Sequence, residues 1–175
     1  TSPPTFALSK VSPGFEHACS LLPDSSLHCW GIEDQGVLDA PVGAFSQISS
    51  GYDHSCAIDL NADVSCWGQG PLATSVPPAD TTWLEIALGG ESACGLTTQG
   101  EIECWGTDLG DAPSGTGFKS IQTGLQHACA IDDSNQINCW GENNQTQLDS
   151  PSHTLQSLSS GGAHNCGLDS AGFIY

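Results

Sequence analysis

Five segments of the chain align when they start at Leu8, Phe45, Trp83, Phe118 and Leu155, at steps of 37, 38, 35 and 37 residues. In each, an apolar residue follows three places on (Val11, Ile48, Ile86, Ile121, Leu158), and a glycine three after that (Gly14, Gly51, Gly89, Gly124, Gly161). Then comes His17, His54, His127 or His164, with Ser92 in the third unit. Cysteine stands two places later (Cys19, Cys56, Cys94, Cys129, Cys166), and an aliphatic residue two beyond it (Leu21, Ile58, Leu96, Ile131, Leu168). In the first four units a second cysteine, ten residues after the first, opens a Cys-Trp-Gly triplet: Cys29-Trp30-Gly31, Cys66-Trp67-Gly68, Cys104-Trp105-Gly106 and Cys139-Trp140-Gly141. Repeats of this size mark an architecture in which each unit buries its apolar face only against its neighbours. We read residues 1–175 as a single array, with units 8–44, 45–82, 83–117 and 118–154 and a partial unit 155–175.

Within a unit the apolar period is two. Cys56, Ile58, Val64 and Cys66 share one face of a strand pair, because alternate residues of a strand point the same way. Turn residues lie between the paired segments: Asn61-Ala62-Asp63, Gln99-Gly100, Ser134-Asn135, Ala171-Gly172. Each unit therefore contains a β-hairpin with its two cysteines opposite each other near the open end, within disulfide reach. This predicts bonds Cys19–Cys29, Cys56–Cys66, Cys94–Cys104 and Cys129–Cys139, each worth roughly 2–3 kcal/mol by loop closure, and leaves Cys166 unpaired within the chain. No helical apolar spacing is sustained, so the chain is expected to be all-β.

Composition narrows the function. At 175 residues and 18.1 kDa the chain fits one domain or one stack of repeats. Two Lys and Arg residues against 20 Asp and Glu give a net charge of −18. Such a chain repels phosphate backbones and anionic lipid, so neither nucleic acid nor an anionic membrane surface is an expected partner. No apolar run approaches the roughly 18 residues that span a bilayer. Nine cysteines without a methionine suit an oxidising compartment, outside the cell or on its surface. With Thr1 in first place, a start methionine and any signal peptide are expected to have been removed.

The repeated motif resembles the regulator of chromosome condensation repeat family. That pattern is an apolar strand, Gly, two residues, His, a hairpin, Trp-Gly, and often a later Gly-x-Leu. The first unit keeps most of it as Trp30-Gly31-Ile32-Glu33-Asp34-Gln35-Gly36-Val37-Leu38, and the fourth keeps Trp140-Gly141-Glu142-Asn143 and reaches Leu148. The resemblance covers nearly the whole chain and implies four-stranded β-propeller blades, about four and a half of them here, each full one with a hairpin disulfide. The cysteine pairs depart from the usual repeat and resemble secreted bacterial or environmental versions of it. The acidic charge departs from the chromatin-binding member, and no segment matches that member's nucleotide-exchange loop, so that activity is not carried over.

The fifth unit runs from Cys166 through Gly172 to Tyr175, one residue short of the position where the ten-residue rule places the next cysteine. The expectation is a piece of a longer protein. The alternative is an open array that a further copy completes through its exposed strand edges.

Candidate chemistry is sparse. His17, Cys19 and Cys29 could share a face as zinc ligands, but Ser92 breaks the pattern and no Cys-x-x-Cys knuckle is present, so a disulfide beside a structural histidine explains more and no metal site is expected. Asp59, Asn61 and Asp63 resemble the start of a calcium loop, yet Val64 stands where a glycine would and no Glu closes the loop. Turn chemistry accounts for them, and calcium remains a weak alternative to no cofactor. Asn144-Gln145-Thr146 is an N-glycosylation sequon, which makes Asn144 a candidate acceptor. No nucleophile or phosphate-binding motif frames the Ser, His and Asp residues, so the chain is read as non-enzymatic. An enzyme reading would need carboxylates converging in a central cleft.

The first functional expectation is an extracellular structural or scaffold protein, part of a fibre or cell-surface assembly. The alternative is a secreted protein-binding module, inhibitor-like or adhesive, comparable to secreted β-lactamase inhibitors that resemble the same propeller family. Acidic loop residues such as Asp34, Asp39, Asp108 and Asp111 would then favour a basic partner. Protein, including a second copy of the chain, is the expected partner class.

Overall fold

Every hairpin turns on a residue in the left-handed region, and these residues recur at the sequence period: Ser25 (φ 69°), Ala62 (φ 68°), Gly100 (φ 81°), Asn135 (φ 64°) and Gly172 (φ 86°). A side-chain oxygen holds each turn from the second unit onward. Asp59 Oδ1 accepts from the backbone N–H groups of Asn61 (2.7 Å) and Asp63 (3.0 Å). Asp132 does the same for Ser134 and Gln136, and Asp169 for Ala171 and Phe173. Thr97 Oγ1 takes this place in the third unit. Short polar side chains that bond their own backbone two residues on are what nucleates such turns. The bonds from Asp63 and Asn61 hold the Asp59 carboxyl below its usual range.

The computed structural model describes residues 3–34, 36–69, 77–78, 80–107, 109–150 and 153–175. It is all-β. Four antiparallel three-stranded sheets follow one another along the chain. They are β1 (Lys10–Pro13), β2 (His17–Leu21) and β3 (Leu27–Gly31); β4 (Phe45–Ser50), β5 (His54–Asp59) and β6 (Val64–Gly68); β7 (Trp83–Leu88), β8 (Ser92–Thr97) and β9 (Ile102–Gly106); β10 (Phe118–Thr123), β11 (His127–Asp132) and β12 (Ile137–Gly141). β13 (Ser157–Ser160) pairs with β14 (Asn165–Leu168), where Leu168 bridges to Ile174.

The register places Cys19 opposite Cys29, Cys56 opposite Cys66, Cys94 opposite Cys104 and Cys129 opposite Cys139. All four pairs are disulfides, with S–S distances of 2.07 to 2.09 Å. Cys166 is exposed and unbonded among the described residues.

The four strands per blade that the resemblance implied are corrected to three among the described residues. After Trp-Gly in the first and fourth units the described backbone makes local turns instead of a ladder. Val37 N–H bonds Asp34 O, Asp39 N–H bonds Gly36 O, and Asp149 N–H bonds Thr146 O. Pro, Gly and Asp dominate these stretches and disfavour strand.

The core lies between sheets, not within them. Cys19 and Leu21 of the first unit pack with Phe45, Ile48, Ala57 and Trp67 of the second. The second and third units share Cys56, Ile58, Trp83 and Ile86, and the third and fourth share Cys94, Leu96, Ile121 and Trp140. Trp67 is buried, and its Nε1–H donates to Val37 O of the preceding unit's loop at 3.0 Å. A buried Trp removes roughly 200 Å² from water, an upper figure of about 5 kcal/mol per joint. Size is compensated locally: Trp83, the bulkiest residue at its repeat position, lies over Gly95, where a Cβ would collide with its ring.

First strands of successive units lie side by side and are tied through side chains. Ser12 Oγ accepts from Ser50 N–H (2.9 Å), and Ser49 Oγ from Leu88 N–H (3.1 Å). The Gln47 amide both donates to Ile86 O (2.8 Å) and accepts from Ile86 N–H (2.9 Å). Glu85 Oε2 accepts from Ile121 N–H (3.2 Å), while burial raises its carboxyl above the ordinary range. This stacking brings the repeat glycines together. A Cβ on Gly14 would stand 2.6 Å from Gly51 O, and one on Gly51 would stand 2.6 Å from Gly89 O. Only glycine allows neighbouring units to approach this closely.

Candidate binding face

The repeat glycine fixes where the next side chain emerges. That residue is Phe15, Tyr52, Gly90, Leu125 or Gly162, at the loop between first and second strands. Phe15, Tyr52 and Leu125 are 61%, 40% and 49% exposed. The Phe15 and Tyr52 rings stack, with centroids 4.2 Å apart and planes 13° off parallel. One residue further on stand Glu16, Asp53, Glu91 and Gln126, whose backbone carbonyls accept from the residue just past Trp-Gly: Ile32 (2.9 Å), Gln69 (2.8 Å), Thr107 (2.8 Å) and Glu142 (2.8 Å). Those bonds fold the exit of each third strand against the inner loop. One end of the array therefore presents apolar side chains ringed by the carboxylates of Glu16, Asp53, Glu91 and Glu142. Exposed contiguous apolar surface rimmed by charge is the mark of an interaction site.

The recurring histidines point the other way, into the joints between units. His17 Nε2 lies 2.9 Å from Ser55 Oγ of the next unit. Ser55 gives its own proton to Ser50 Oγ (2.9 Å), so the imidazole is the donor to Ser55. His127 Nε2 likewise donates to Asn165 Oδ1 at 3.0 Å. His17 and Ser55 are the partners a nucleophile–base pair would need, but Ser55 is fully buried and its proton is committed, so the pair is a tie and not a reactive site. At the two intervening joints the facing position holds Ala93 or Ala128. There His54 Nε2 and Ser92 Oγ are buried with no partner among the described residues. Burial, reinforced by the nearby His17, lowers the His54 pKa to about 4.

Of the acidic loop residues singled out from the sequence, Asp34, Asp39 and Asp111 are exposed, and Asp108 lies outside the described residues. Asn144 is exposed and its side-chain amide contacts Glu142. Cys19 and Cys29 are bonded to each other, so they are not free ligands beside His17. Sequence reasoning missed Glu16, Asp53 and Glu91. The signal was present as an acidic residue two places after the repeat glycine in three consecutive units.

Small antiparallel sheets stacked through their first strands, each full one with one cross-strand disulfide, define a propeller-type repeat protein. Two of its units match the model of the Regulator of chromosome condensation (RCC1) repeat, at residues 45–71 and 118–147. Among solved structures the chain is similar to the ectodomain of the Physcomitrella patens receptor kinase CR4, with 25% identity, a TM-score of 0.79, and coverage of 93% of this chain and 47% of that one. It is similar to the ectodomain of the Arabidopsis thaliana receptor kinase ACR4 at 25% identity, with a TM-score of 0.77 and coverage of 93% and 59%. Prp20p of Saccharomyces cerevisiae, described with its binding to Gsp1p and histones, matches with a TM-score of 0.80 at 18% identity over 94% of this chain and 56% of that one, a likeness of fold. The chain thus spans about half the length of these structures. No curated protein sequence matches it significantly.

Proposed function

We propose that this chain is an extracellular or cell-surface protein-interaction module, non-enzymatic, whose binding surface is the apolar and acidic face around Phe15, Tyr52 and Leu125. The exposure of that face carries the reading, because three large apolar side chains in the wet end of a −18 protein need a partner to bury them. Four hairpin disulfides and the likeness to two receptor ectodomains support an extracellular setting. The five units act as one array, because each full unit completes its core only against its neighbours. The carboxylates favour a basic partner, steering its approach and excluding acidic competitors. Among the described residues no helix is long and apolar enough to cross a membrane.

Capture from the protein's native medium tests the proposal. Immobilised chain is expected to retain a stoichiometric basic protein that Phe15→Glu and Tyr52→Glu release. Capture of nothing, or capture indifferent to both substitutions, contradicts it. A scaffold role would act through strand edges instead of this face. Sedimentation at native concentration separates the two, since a fibre former polymerises with the face substituted and a binder stays a discrete particle.

A further inference from the structure

The third unit departs twice from the repeat, and both departures remove bulk from the same place. Ser92 stands where the other four units carry histidine, and Gly90 stands where the first, second and fourth carry Phe15, Tyr52 and Leu125. The result is a cleft of about 750 Å³ between the third and fourth units, lined by Tyr52, Glu91, Ser92, Leu109, Leu125 and Glu142 among others. Its wall contains a polar atom with nothing to bond: Ser92 is 1% exposed, and its Oγ has no partner among the described residues. A buried hydroxyl without a partner is unfavourable, and a bound donor would recover that cost.

We infer that this cleft receives a basic side chain, lysine or arginine, of a partner protein. The inference rests on the interaction-module reading and names the pocket within its face. A basic side chain is an apolar stem with a cationic head. Leu109 and Leu125 supply apolar wall for the stem. Glu91 and Glu142 supply two carboxylates for the head, and Tyr52 supplies an aromatic face that attracts a cation. The Ser92 hydroxyl can accept one of its N–H groups. The chain does not neutralise these carboxylates with its own cations: its only two basic residues, Lys10 and Lys119, do not line the cleft, and Lys119 contacts Asn135. Glu91 does accept a hydrogen bond from the Thr107 hydroxyl (3.3 Å), and Glu142 contacts the Asn144 amide; both are neutral partners that leave the negative charge standing. No histidine lines this cleft, because Ser92 holds the repeat position that is histidine in the other units.

The test is a backbone-amide NMR titration of the intact chain with Nα-acetyl-arginine methylamide, with Nα-acetyl-lysine methylamide as the ammonium arm and Nα-acetyl-norleucine methylamide as the uncharged control. Saturable shifts at Gly90, Glu91, Ser92 and Gly141 with at least one cationic probe, absent with norleucine and weakened at least tenfold in Glu91→Gln/Glu142→Gln, are expected. Ser92→His, which restores the repeat residue, is expected to abolish them. Should that variant fail to fold, the surface pair of glutamines still decides. Non-saturating shifts spread over all the acidic loops, an equal response to norleucine, or an undiminished response in the glutamine variant would overturn the inference. If the glutamine variant still captures a protein partner through Phe15 and Tyr52 while binding no probe differently from the parent, the cleft is refuted and the module reading stands.

Discussion

His54 and His17 occupy the same repeat position and differ in what faces them. His17 meets Ser55, while His54 meets a joint carrying Ala93 and keeps an unpartnered Nε2. Burial therefore favours neutral His54, with a folded pKa near 4 against about 6.5 in an unfolded chain. The unfolded state binds this proton first. Stability from neutral His54 is complete above pH 6.5, drains as the pH falls from 6.5 to 4, and is exhausted below. The whole effect is about 3 kcal/mol. An imidazole proton NMR titration is expected to leave His54 uncharged until about pH 4, and a midpoint near 6.5 would contradict its burial. At the neighbouring joint, Ser55→Ala strands both the His17 proton and the Ser50 hydroxyl, so urea denaturation is expected to show a loss of about 1–3 kcal/mol.

The hairpin is where the sequence spoke most clearly. A side-chain period of two and a ten-residue cysteine spacing are both local, so Cys56 opposite Cys66 followed from counting. The turn chemistry of Asp59 was legible for the same reason. Among the described residues the sheets stop at three strands, in keeping with the Pro, Gly and Asp content after Trp-Gly, where the family pattern implies a fourth. The candidate binding face was less legible. Phe15, Tyr52, Glu16 and Asp53 meet only because units stack, and the pairing of His17 with Ser55 spans a whole repeat. The sequence shows that Ser92 is an exception, but only the stacking shows that the exception leaves a cleft. Within one hairpin, Ala62 holds φ at 68°, which costs a side chain about 1 kcal/mol, so Ala62→Gly should raise stability by about 0.5–1 kcal/mol in thermal melts. Cys56→Ser strands Cys66 and opens one loop. Hydrogen exchange should then quicken in β4 to β6 well before the fourth unit, at a cost of about 2–4 kcal/mol. Uniform loosening of all units would contradict the joint-by-joint core.

Across the whole molecule, no unit is stable by its own interior. Each joint adds one tryptophan or its equivalent, one set of side-chain ties between first strands, and one close approach of glycines. Gly51→Ala places a Cβ 2.6 Å from Gly89 O, against backbone that cannot yield cheaply. It should therefore cost more than about 2 kcal/mol and part the second unit from the third. The disulfides serve a different end, holding each blade in register, which in the proposed extracellular role would free the inner loops to be apolar and acidic.

That division of labour is best tested by peptide mapping without prior reduction, on protein taken from its native source. Four links are expected, Cys19–Cys29, Cys56–Cys66, Cys94–Cys104 and Cys129–Cys139, each confined to its own unit. Free, alkylatable thiols at these positions, or links that join different units, would contradict both the blade-by-blade architecture and the extracellular role built on it.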